Sequence, residues 1–191
     1  GTSAPRGAIE ALSKKMVTES LGYTVALGIP SLRQKISELY KTWYGLDLNP
    51  DRVIVTSGSS GAFLLTFTAL FDTGSKVGIG APGYPSYRQI LKALAIKPVI
   101  ISTAYEDKFQ VTSASDFGDE LDGLLVASPA NPTGSMLNFD SLKRLISKCD
   151  DCGISLISDE IYHGVEYKEK AVSALEITDD CYVINSFSKY F

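Results

Sequence analysis

The chain has 191 residues, of which 45% are hydrophobic, 21% charged and 10% aromatic, material for one or two domains with a real core. Its 18 basic and 22 acidic side chains leave a net charge of −4 with no Lys/Arg cluster, which argues against nucleic acid held by phosphate neutralisation. No apolar run approaches the roughly 18 residues of a membrane span. Three cysteines are too few, and odd in number, for a disulfide scaffold, so a reducing, cytoplasmic setting is expected. The sequence has no initiator Met, and residues 1–6 form neither a signal nor a transit peptide; truncation at both ends of a longer protein is the expectation.

Along the chain, helical patterns alternate with short apolar runs. Leu32, Ile36, Leu39, Tyr40 and Trp43 form an amphipathic stripe between Pro30 and Gly45, residues that open and close helices. Val53-Ile54-Val55 reads as a strand running into the turn Thr56-Ser57-Gly58-Ser59-Ser60-Gly61. A second helical stripe follows through Phe63, Leu64, Phe67, Leu70 and Phe71. Apolar runs at 77–79, 99–101, 124–127, 154–157 and 182–184 predict buried strands. Between them, helices are expected near 86–95 and 139–149. The second has Asn138 as its N-cap and an apolar face of Phe139, Leu142, Leu145, Ile146 and Cys149. Strands alternating with helices imply an α/β fold, a mostly parallel sheet with helices on both faces. Residues 1–45 lie outside that alternation and are expected to form a helical arm, with the sheet domain in 46–191.

In open α/β sheets, ligands sit beyond the carboxyl ends of the strands. There the sequence places a Ser/Gly turn opening a helix (Ser57 to Gly61), the loop Ser128-Pro129-Ala130-Asn131-Pro132-Thr133-Gly134, the acid-bearing Ser158-Asp159-Glu160-Ile161-Tyr162 and the lysine of Asn185-Ser186-Phe187-Ser188-Lys189. Each has a plain structural reading, as a helix cap, a tight turn, a capping acid or a surface lysine. A Ser/Gly helix start can hold an anion on its N–H groups, but it matches neither a P-loop nor a dinucleotide fingerprint. A carboxylate ending a buried strand calls for a cation or donor, and a lysine past such a strand can be a Schiff-base nucleophile. Together they suit a phosphorylated cofactor that presents a carbonyl.

These residues, with Tyr23-x4-Gly28-x4-Arg33, Thr56-x-Gly58-x3-Ala62 and Pro82-Gly83-Tyr84-Pro85 in the same order, resemble the fold-type I pyridoxal 5′-phosphate (PLP) enzymes, specifically class I/II aminotransferases of the aspartate aminotransferase kind. The resemblance runs over essentially the whole chain. It implies that residues 46–191 are part of the large PLP-binding domain and that the C-terminal small domain is absent. It further implies that Lys189 bonds the cofactor aldehyde and then moves the substrate proton, and that Asp159 keeps the pyridinium nitrogen protonated. Tyr162 and Asn131 would donate to the phenolic oxygen, Tyr84 would stack on the ring, and Ser59, Ser60 and Ser186 would bind the phosphate. Tyr23 would reach the phosphate of a neighbouring subunit, which implies a homodimer. For Arg33 and Glu160 structural ion pairing is expected, and for His163 a structural or solvent-facing role.

The implied reaction passes an amino group between an amino acid and a 2-oxo acid, with no metal, nucleic acid or membrane as partner. Two alternatives use the same residues: a PLP-dependent C–S β-lyase, and the PLP-sensing domain of a transcription regulator. The resemblance also places phosphate-binding and carboxylate-binding arginines of the family beyond residue 191, so the isolated stretch is expected to be inactive.

Overall fold

The computed structural model describes residues 3–20, 22–117 and 120–191. They divide into two compact units, Gly1–Val55 with Phe191, and Thr56–Tyr190.

In the first unit, α1 (Arg6–Thr18) buries no residue, and its apolar Ile9, Leu12 and Met16 are all exposed. The second helix, α2 (Pro30–Tyr44), starts on a proline and stops at Gly45, whose φ of 73° closes it in the left-handed region. Arg33 is its anchor. Only 8% exposed, it donates Nε to the carbonyls of Pro50 (3.0 Å) and Val53 (2.9 Å) and Nη2 to Asp51 (2.9 Å). The structural ion pair expected of Arg33 is therefore present. Residues 53–55 do not form the strand expected of them. The segment is extended at Val53, and Val55 N–H bonds a single outside carbonyl, that of Leu27 at 3.0 Å. Extended backbone becomes a strand only where a neighbour pairs with it. Gly28 (φ 102°) lies close by, and a Cβ there would fall 2.5 Å from Val55 Cγ2.

The second unit is built on a five-stranded sheet in the order β2-β1-β3-β4-β5. The strands are β1 (Lys76–Ala81), β2 (Lys97–Ser102), β3 (Gly123–Ala127), β4 (Ser155–Asp159) and β5 (Tyr182–Ile184), every adjacent pair parallel. Helices α3 (Gly58–Leu70), α4 (Pro85–Ala93), α5 (Phe139–Cys152) and the single turn α6 (Phe187–Tyr190) complete it. The α/β class and the parallel sheet expected from the sequence are both present.

Alternation within the strands divides the core in two. Leu124, Val126 and Leu156 face α5, packing with Leu142, Leu145, Ile146 and Cys149. Leu125 and Ile157 face the other way, onto Phe63 and Phe67 of α3 and Tyr87 and Leu91 of α4. Covering both faces is why these strands read as continuous apolar runs. The Asn138 cap is formed, its Oδ1 accepting from Ser141 N–H at 2.9 Å. Phe139, expected on the apolar face of α5, is the first helical residue and is 43% exposed.

Candidate active site

Strand β3 pairs Ala127 with Asp159, and β4 pairs Asp159 with Ile184. The carboxyl ends of β3, β4 and β5 are therefore level, and the loops bearing Asn131, Tyr162 and Lys189 all leave from one rim. Strand order reverses between β1 and β3, the position where ligands settle in open α/β sheets. Tyr84 follows β1 and Asn131 follows β3 on the two sides of that reversal.

Asp159 is the electrostatic centre of the rim. It is 2% exposed. Its Oδ1 accepts from Ile161 N–H at 3.1 Å and its Oδ2 from the Tyr87 hydroxyl. Burial pushes its carboxyl above the ordinary carboxylate range, while the Tyr87 hydroxyl, the Ile161 N–H and the charge of Lys189 pull it back. Tyr87 is displaced far upward, first by its own burial and then by the negative charge of Asp159. Their bond thus sets a phenol that keeps its proton against a carboxylate that needs one.

Around this pair the structure brings several expected residues together. Tyr84, the N-cap of α4, stands edge-on to Tyr87 with ring centroids 5.5 Å apart. Asn131 Nδ2 lies 3.5 Å from the Tyr162 hydroxyl. Lys189 Nζ lies 5.6 Å from the Tyr162 ring centroid, within the range of a cation–π contact. Lys189 is exposed. Ser59 and Ser60 occupy the first turn of α3, where backbone N–H groups have no helical acceptor, and α3 lies against β5. Ser186 Oγ instead shares a 2.6 Å hydrogen bond with Ser188 Oγ and accepts from Ser188 N–H. Tyr23 belongs to the first unit and is fully exposed.

The sequence reading missed two parts of the site. Tyr87 carries the only side-chain hydrogen bond to Asp159 among the described residues, and the signal was its place one turn after Tyr84 on the buried face of α4. Gln110, 4% exposed, donates Nε2 to the carbonyls of Ala127 (3.1 Å) and Ser135 (2.8 Å), closing the base of the Asn131 loop. Glu160, expected to be structural, and His163, expected to be structural or solvent-facing, are both buried. Glu160 faces the α5 side of the sheet, opposite to Asp159, and its Oε1 accepts from Ser158 Oγ (2.9 Å) and Ala174 N–H (2.8 Å).

Comparison with known proteins shows the family. The chain is 42% identical, over 98% of its length, to the valine–pyruvate aminotransferase of Mycobacterium tuberculosis. It is 30% identical, over 98%, to an aspartate aminotransferase of Pyrococcus horikoshii. Among solved structures, it superposes along its whole length on a candidate aminotransferase from Silicibacter pomeroyi, with a TM-score of 0.92 and 59% identity over 49% of that chain. The chain spans about half the length of the curated relatives it matches. Residues 2–191 match the family described as aminotransferase class I and II, and the chain belongs to that family.

Proposed function

We propose that this chain supplies the cofactor-holding part of a PLP-dependent aminotransferase that passes an amino group from an amino acid to a 2-oxo acid. The observation that carries the reading is Asp159, a buried carboxylate at the end of β4 with Lys189 as the cation acting on it. The relatives' names, valine–pyruvate and aspartate aminotransferase, share this substrate class.

The residues present fit PLP. Bound there, its protonated pyridine ring would act as an electron sink for the bonds at the substrate α-carbon. Asp159 would hold the proton on the ring nitrogen, with Tyr87 fixing the carboxylate's orientation. Asn131 and Tyr162, already adjacent, would donate to the phenolic oxygen. Tyr84 would lie along the ring, and the first turn of α3 at Ser59 and Ser60, with Ser186, would receive the phosphate. Lys189 would take the aldehyde and, once released by substrate, carry the proton between carbons. We read the protein as a homodimer, with Tyr23 reaching the partner's phosphate, and as cytoplasmic; the support is the family and the low cysteine count.

The test is reduction of the full-length protein with borohydride in the presence of PLP, followed by peptide mapping and assay of amino transfer. Label on Lys189 and amino acid formed from added 2-oxo acid support the proposal. Label elsewhere overturns the site. Release of ammonia and pyruvate without transfer indicates the β-lyase instead.

A further inference from the structure

A second ionisable pair lies behind the rim, on the α5 side of the sheet. His163 is 2% exposed and Glu160 fully buried, with His163 Nδ1 3.7 Å from Glu160 Oε2. His163 Nε2 lies 2.9 Å from the carbonyl oxygen of Ser128. A carbonyl only accepts, so Nε2 carries a hydrogen and donates it. Ser158 Oγ and Ala174 N–H donate to Oε1, the Ser173 hydroxyl also acts on the carboxyl, and among the described residues Oε2 has no hydrogen-bond partner. An ionised oxygen left so in a buried place is costly. A proton on Oε2, or on the imidazole nitrogen facing it, removes that cost.

We propose that Glu160 and His163 carry a single proton between them in the folded chain, and that His163, through its Nε2–H to Ser128, fastens the loop 128–134, which carries Asn131, to the end of β4, which carries Asp159 and Tyr162. They are positioning residues. Glu160 N–H also donates to Ile184 O at 2.8 Å, so one residue ties the segments leading to Asn131, Tyr162 and Lys189. The importance of those three rests on the proposed function; the proton count does not.

The surroundings agree. Burial raises Glu160 to about 7, with the charge of Glu176 adding to the rise and the bonds from Ala174, Ser173 and Ser158 opposing it. Burial lowers His163, with Lys170 adding to the fall and Glu166 and the Ser128 carbonyl opposing it. Asp159 and Tyr162, adjacent to the pair in sequence, belong to the rim.

The signs predict a distinctive profile. Glu160, raised from 4.5, contributes stability that is lost as pH rises through about 7; His163, lowered from 6.5, contributes stability that is lost as pH falls below 6.5. Between 4.5 and 6.5 the unfolded chain carries one proton on these two groups, held by His163, and so does the folded pair. Their joint contribution is therefore level there. In Glu160→Gln the carboxamide N–H mimics the loaded pair at every pH. Only His163 then titrates, and the variant's folding constant falls about tenfold per pH unit below 6.5, relative to the parent.

The experiment is urea unfolding of the full chain and of Glu160→Gln between pH 5.5 and 6.5, without cofactor, together with 15N spectra of the His163 ring in the unsubstituted protein. Diverging profiles, with Nε2 protonated throughout and no ring titration near 6.5, are expected. Parallel profiles, an ordinary His163 midpoint or an unprotonated Nε2 overturn the proposal. Failure of the variant to fold leaves the ring spectra to decide. Because neither readout needs PLP, the proposal can fail while the aminotransferase reading stands, and the reverse.

Discussion

Replacing Tyr87 with phenylalanine removes one oxygen and leaves the ring in place against Phe63, 5.0 Å away edge to face. What is lost is the hydroxyl donated to Asp159. A hydrogen bond to a charged group contributes roughly 1.5–3 kcal/mol, and one between neutral groups about 1 kcal/mol. The penalty of Tyr87→Phe is therefore expected to be about 1 kcal/mol where Asp159 is protonated, rising to roughly 2–3 kcal/mol where it is ionised. The difference raises the Asp159 carboxyl further above its ordinary range. The sign follows from its starting position. Asp159 already lies above its unfolded value of 3.8, so the stability it contributes is lost as pH rises through its folded value. In the variant that loss runs on to higher pH. Urea unfolding of parent and variant from pH 5 to 8 measures this, and the gap between them is expected to widen with pH. A gap constant over the range would show that the hydroxyl does not serve the carboxylate, and would remove Tyr87 from the site.

Two further predictions concern the scaffold. A Cβ on Gly123 would fall 2.2 Å from Cζ of Phe71, so Gly123→Ala is expected to cost about 1–3 kcal/mol through overpacking, read as a lower Tm; a Tm matching the parent would contradict it. Leu145 is fully buried between α5 and the sheet, and Leu145→Ala is expected to cost about 2–5 kcal/mol in urea unfolding.

The scaffold was legible wherever a local pattern decides the outcome. Leu124, Leu125 and Val126 form an apolar run because α5 covers one face and α3 and α4 the other, and the α5 stripe announces its own period. Residues 53–55 have the composition of a strand and lack the pairing, which composition does not encode. In the candidate site, motif order pointed to Asn131, Asp159, Tyr162 and Lys189, and the rim brings their segments level. Tyr87 escaped because its meaning lies in a contact 72 residues away along the chain. For His163 the sequence left a structural or a solvent-facing role open, and the carbonyl of Ser128 on one side and Glu160 on the other are contacts that no local pattern encodes.

The level rim also determines which changes of sequence the protein tolerates. Since the ladder of β3, β4 and β5 fixes where Asp159 ends, the exposed turn at 104–108, between β2 and β3, can change length at small entropic expense. One residue deleted from β4 acts differently. It would exchange the two faces of everything after it, turning Asp159 toward α5 and presenting Glu160 to Tyr87. Two neighbouring acids would trade environments while the composition stayed almost unchanged. Over generations, variation should therefore accumulate in the loops and spare the strand lengths.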